Sequence, residues 1–206
     1  RLVGLLRPLG PAEVEPAPWL HPTPADERRA EELLAGTDGP LVAMHCGAKR
    51  SANRWFPERF AEAARRLVGE RGAWIVLTGA PDEKPLVERV AAAIGDRCTD
   101  VTGNTTVGEL AALLDRCRLT VTNDTGVMHV AYAVGTPVVA VFGGRFHPNV
   151  WFPYGPRNAV FYPSIECSPC HRDDCPLYEE PECLKRTGVD EVVEASLKFL
   201  DVGDST

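Results

Sequence analysis

The segment Thr122-Asn123-Asp124-Thr125-Gly126-Val127-Met128-His129 sets a carboxylate, a hydroxyl and a glycine in succession between an apolar run and a stretch that continues as Val130-Ala131-Tyr132-Ala133-Val134-Gly135-Thr136-Pro137. If a strand ends before this cluster and a helix opens at Gly126, free backbone amides and the positive end of the helix dipole face whatever lies above the strand. Thr125 adds a hydroxyl and Gly126 permits close backbone approach, a combination that suits a diphosphate. The plainer alternative is that Asp124 and Thr125 only cap the helix. His129, one turn further on, reads either as a ligand contact or as a histidine satisfied within the core.

Two further clusters have the same placement. Gly47-Ala48-Lys49-Arg50-Ser51-Ala52-Asn53-Arg54-Trp55-Phe56-Pro57 puts three cations in one loop ahead of an aromatic pair. Such cations can neutralise the charge that develops on a departing nucleotide diphosphate, an effect that grows where water is excluded. They could equally serve a solvated loop. Thr78-Gly79-Ala80-Pro81-Asp82-Glu83 closes another apolar run with a glycine turn and two carboxylates, able to accept hydrogen bonds from ribose hydroxyls or merely to open a helix.

The elements that must position these clusters follow from the periodicity. Short apolar runs alternate with helical stretches of about ten residues closed by glycine or proline, the rhythm of βαβ units. Strands are predicted over 41–45, 73–77, 98–101, 119–122, 137–142 and 158–162, and helices over 57–68, 84–94, 106–115, 126–134 and 189–200. Right-handed crossovers then require a Rossmann-like, doubly wound parallel sheet of the α/β class that binds its ligand at the carboxyl ends of the strands, where all three clusters fall. Residues 1–39 read as a proline-dense linker from Pro8 to Pro24 and a short helix over 25–34, leading out of an upstream domain into the unit 40–206.

The totals exclude several classes. With a net charge of -7 the chain is not built to neutralise a phosphate backbone, so nucleic acid is not an expected partner. No apolar run reaches the roughly 20 residues that span a bilayer, and Arg1–Arg7 is too short for a secretory signal, so a cytoplasmic protein with at most peripheral membrane contact is expected. The abrupt start without Met points to a fragment. Of the seven cysteines, Cys46, Cys98 and Cys117 stand singly in apolar surroundings and read as small hydrophobes. Cys167, Cys170, Cys175 and Cys183 form a C-x2-C-x4-C-x7-C pattern that permits a zinc ion, an iron–sulfur cluster, two disulfides or four reduced thiols.

The phrase from Asn123 to Gly143, with the loop before Arg54-Trp55-Phe56-Pro57 and the turn Gly79-Ala80-Pro81-Asp82-Glu83 in the same order, resembles the signature of the bacterial heptosyltransferases, glycosyltransferases of the lipopolysaccharide inner core. The likeness extends over about 40–200 and includes the cysteine-rich stretch. It implies the C-terminal half of a GT-B enzyme, binding an ADP-heptose donor, while the protein's own N-terminal domain holds a lipid-linked saccharide acceptor. By the same resemblance, Arg54 lies near the donor phosphates at a position that is usually lysine, and Lys49, a cation of the same loop, is taken with it as a substrate contact. Asp124, Thr125 and Gly126 belong to the donor loop, His129 follows one turn later, and Glu83 is the acid near the ribose. The family's general base, an aspartate of the N-terminal domain, has no counterpart here, so no catalytic residue is assigned and the chain alone is expected to be inactive. The implied chemistry is inverting transfer, with no divalent metal or other cofactor obligatory if cations and a helix N-terminus stabilise the diphosphate. Two competing readings are a GT-B epimerase acting on UDP-sugars and a non-enzymatic module built around a metal held by the cysteines. An exposed apolar face on the last helix, near Val192, Val193 and Leu197, is expected if that helix packs on an absent domain.

Overall fold

Six strands account for the apolar runs: β1 (Leu41–His45), β2 (Trp74–Thr78), β3 (Cys98–Asp100), β4 (Leu119–Asn123), β5 (Val138–Val141) and β6 (Asn158–Phe161). They form one sheet in the order β3-β2-β1-β4-β5-β6, parallel throughout, with Val42 in register with both Ile75 and Leu119. This computed structural model describes residues 19–146, 150–153, 155–162, 164–177 and 180–201; the apolar start and the expected linker as far as residue 18 lie outside them.

Parallel strands bury both faces, and alternation along them divides the core in two. Val42, Met44, Ile75, Leu77, Leu119, Val121, Val139 and Val141 face a layer made by α2 (Pro57–Arg71), α3 (Lys84–Ile94) and α7 (Val189–Asp201). Ala43, Val76, Val138 and Ala140 face the opposite layer, α1 (Pro24–Leu33), α4 (Val107–Asp115) and α5 (Gly126–Ala133). A short helix, α6 (Glu182–Lys185), precedes α7. Among the described residues no helix is long and apolar enough to cross a membrane.

Local chemistry sets the helix ends. Thr23 and Asp26 form a capping box for α1, with Pro24 at the first helical position, and Thr106 and Glu109 do the same for α4. α2 starts on Pro57 and runs past Gly69 to Gly72, whose φ of 61° supplies the left-handed cap; it is three residues longer than predicted because Gly69 stays helical.

Two expectations change here. α1, grouped at the sequence level with an upstream domain, packs on α4 with Ala30 fully buried and Leu34 nearly so, while the Leu20 amide donates to the Ala133 carbonyl at 3.1 Å. The apolar face of the last helix is not exposed. Val192 and Val193 are fully buried and Leu197 packs against the same core, because α7 covers α2 and the sheet. A helix of its amphipathic pattern needs only one apolar partner, and this domain supplies it.

Candidate functional site

The strand order reverses between β1 and β4, and the two chains that leave their carboxyl ends open a crevice there. Asn123, the last residue of β4, holds that crevice together. Its buried side chain accepts from the Trp55 amide at 2.9 Å and donates to the carbonyls of Cys46 at 3.1 Å and Gly47 at 3.0 Å. One amide thus satisfies three backbone groups of the β1 loop that burial would otherwise leave unpaired.

Asp124 follows. Asn53 donates through Nδ2 to its carboxylate at 3.0 Å and to its carbonyl at 3.3 Å, while the Asn53 Oδ1 is buried without a partner. Burial pushes the Asp124 pKa up, and the Arg145 charge and the Asn53 hydrogen bond oppose that shift. Thr125 stands at the N-cap of α5, but its side chain makes no cap; its hydroxyl is 3.3 Å from that of Thr122. A Cβ placed on Gly126 meets nothing within 4 Å. Thr125 therefore does not cap α5 through its side chain, and a side chain at the first helical position would find open space.

On the β2 side, Glu83 accepts from the Ala80 amide at 2.8 Å, so the helix-opening role foreseen for it is real. The same carboxylate leans into the crevice: it occupies the space a Cβ on Gly47 would need and lies 3.9 Å from His45 Nε2. His45 Nδ1 is 3.1 Å from the Thr78 hydroxyl. Desolvation lowers the His45 pKa, with Glu83 and then Thr78 pulling the other way, which leaves a neutral imidazole at neutral pH.

A fourth strand end contributes. After β5 the chain runs Gly143-Gly144-Arg145, and a Cβ on Gly143 would overlap the Ala52 carbonyl, so only glycine lets the β5 and β1 loops touch. Arg145 lies with its guanidinium 4.3 Å from the Phe146 ring centroid. The crevice thus gathers Glu83, Asp124, Thr125 and Gly126 of the predicted residues. Lys49, also predicted, is exposed on the rim and makes no ion pair with the described residues. Arg54 is turned aside: its Nη2 donates to the Ala48 carbonyl at 2.6 Å and its Nε is buried without a partner. His129 sits exposed one turn into α5, its ring centroid 6.1 Å from that of Trp151. Sequence reasoning passed over His45, Asn53, Asn123 and Arg145. Arg145 was within its reach, since it follows a predicted strand as the other clusters do.

Next to this crevice, Cys167, Cys170, Cys175 and Cys183 line one cavity of about 300 Å³ together with Ala52, Gly144 and Arg145. All are free thiols, and burial raises the Cys183 pKa. Among the described residues no group of three or more His, Cys, Asp or Glu side chains is arranged to hold a metal ion.

Residues 12–179 match the model of glycosyltransferase family 9 (heptosyltransferase). Lipopolysaccharide heptosyltransferase 2 of Salmonella typhimurium strain LT2 is 33% identical over 117 residues, 54% of this chain and 33% of that protein. The family 9 glycosyl transferase of Veillonella parvula superposes with a TM-score of 0.84 at 24% identity, over 97% of this chain and 58% of that one. The E. coli ADP-heptose lps heptosyltransferase II gives a TM-score of 0.77 at 22% identity, over 95% and 57% respectively. The chain therefore spans between a third and somewhat over half of these relatives. With a family match along most of its length and a fold shared with solved members, the chain belongs to glycosyltransferase family 9, the heptosyltransferases.

Proposed function

We propose that this chain is the donor-binding, C-terminal half of an inverting GT-B heptosyltransferase, with α1 through α7 as its structural unit, and that it binds ADP-heptose or a related ADP-sugar. One observation carries the reading: four strand-end loops meet at the topological switch point around the uncapped N-terminus of α5, with Asp124 and Arg145 on its wall. The α5 amides and the Thr125 hydroxyl hold the diphosphate beside Gly126, and Lys49 and Arg145 supply counter-charge. Asp124 contacts the sugar, and Glu83, anchored on the Ala80 amide, accepts from the ribose. Arg54 and His129 complete the donor contacts when the ligand draws them in.

In the reaction, the acceptor hydroxyl gives its proton to a base of the N-terminal half and attacks the anomeric carbon from the face opposite ADP. This half stabilises the leaving diphosphate, an electrostatic task for preorganised amides and cations that requires no metal. The acceptor is a lipid-linked core saccharide of lipopolysaccharide, met at the inner face of the cytoplasmic membrane. That setting needs only peripheral contact.

Nucleotide binding stabilises the fold by mass action, so ADP at about 100 times its dissociation constant adds roughly 2.7 kcal/mol and moves the melting temperature by several degrees. Asp124→Ala is expected to weaken ADP-heptose binding at least tenfold while the domain stays folded. Thermal melts with millimolar ADP and UDP decide the matter: no response to either ends the proposal, and a larger response to UDP turns it toward a sugar epimerase.

A further inference from the structure

The stretch from Ser168 to Asp174, inside the cysteine-rich segment, is fastened to both cationic loops of the crevice. Cys170 and His171 donate their amides to the carbonyls of Gly144 and Arg145, each at 2.9 Å. Ala52 donates its amide to the Asp173 carbonyl at 3.1 Å, and Ser51 Oγ donates to the Asp174 carboxylate at 2.5 Å. At the centre of these contacts the Asp173 carboxylate receives two guanidiniums. Arg50 of the β1 loop binds it through Nη1, and Arg145 of the β5 loop binds it through Nη2 at 2.5 Å while its Nε donates to the Arg172 carbonyl at 3.1 Å.

Two guanidiniums brought to one place repel each other, and both stems carry rotamer entropy that a loose surface pair would not offset. A shared carboxylate reverses the sign of that interaction and fixes both cations with directed, charge-assisted bonds. The arrangement matters to the crevice because Arg145 acts electrostatically on Asp124 and its side chain is only 18% exposed. We infer that Asp173 is a positioning residue for diphosphate recognition: it holds Arg50 and Arg145 where they present cationic charge to the phosphates of a bound nucleotide. This rests on the donor-site reading given above. It also gives the cysteine-rich segment a task, which is to carry an anion from a remote part of the chain to the edge of the binding site.

The test is calorimetric titration of the full-length protein with ADP, AMP and adenosine, comparing wild type with Asp173→Asn, Asp173→Glu and the neighbouring control Asp174→Asn. The expected result is that D173N weakens ADP binding about tenfold and AMP binding by less, leaves adenosine unchanged, and is largely rescued by D173E, while D174N stays within twofold of wild type. An unchanged ADP affinity in D173N overturns the inference. So does a tighter one, which would mean that Asp173 only competes with phosphate for the arginines. An equal loss for all three ligands together with a lowered melting temperature also overturns it, since that marks general loss of structure. Wild type that binds none of the three removes the donor-site reading and this inference with it, whereas normal wild-type binding with an unaffected D173N removes this inference alone.

Discussion

Asp124 shows how a crevice carboxylate can work against the fold that holds it. Its carboxyl pKa is raised by burial, so the native state binds its proton more tightly than the unfolded chain does. Stability is therefore lost as pH rises through the interval between the unfolded and the raised native value, and the penalty is complete above the latter. Asp124→Asn keeps the shape and a group able to meet Asn53, so it is expected to raise the melting temperature at pH 7 by roughly 2–4 °C, the size of about 1 kcal/mol in a domain of this length. The gain should vanish once the pH is low enough to protonate Asp124 in both states. A melt series across pH 3 to 8 checks this, and a lower melting temperature at neutral pH would show that the charged form is the stabilising one. At this scale the sequence located the loop but not every side chain within it. Asp124, Thr125, Gly126 and Glu83 were legible as crevice residues because a polar cluster that closes an apolar run falls at the carboxyl end of a strand. Arg54 and Asn53 were not separable, since adjacent side chains in the short turn Ser51–Asn53 diverge, and only packing reveals that the amide faces Asp124 while the guanidinium folds back on Ala48.

Among the elements, the glycines that join strand to helix do different work, and substitution separates it. A Cβ on Gly47 would collide with the Glu83 carboxylate, whereas one on Gly126 projects into open space ahead of α5. Gly47→Ala should therefore displace Glu83 from His45 and Ala80, lower the melting temperature and weaken ligands that carry a ribose. Gly126→Ala should leave the melting temperature within about 1 °C, since surface changes away from packed features seldom matter. It should still weaken ADP several-fold by filling the space a phosphate requires. Paired melts and titrations of the two variants check this, and a Gly126→Ala protein that binds ADP normally would place the phosphates elsewhere. Strands and long helices were readable because their signals are strong and repeated: alternation buries β1, β2 and β5 on both faces, and proline or a capping box opens α1, α2 and α4. α6 was missed because four residues are too few to show a period. The partner of α7 was misjudged because an apolar stripe states that something covers it without stating what.

For the whole molecule, the division of the cysteines predicted from their surroundings becomes a measurable pattern of reactivity. Burial raises the thiol pKa of Cys46 and Cys117 to about 12, while Cys167 is exposed. Because the thiolate is the reactive species, native protein treated with iodoacetamide at pH 8 should be modified first at Cys167, with Cys46 and Cys117 untouched until denaturant is added. Peptide mass spectrometry reads the order directly, and early labelling of Cys46 would mean that the core opens readily. The long reach of the contacts around these cysteines also bears on how the protein is made. α7 covers the layer offered by α2, and Asp173 turns back to partners at positions 50 and 145. A nascent chain that has already yielded β1 through β5 and Arg145 thus still carries a bare apolar face and two arginines without their shared carboxylate at the crevice. On the ribosome such a chain offers apolar surface to chaperones before the crevice is complete, and the fold closes only as residues 165–201 emerge.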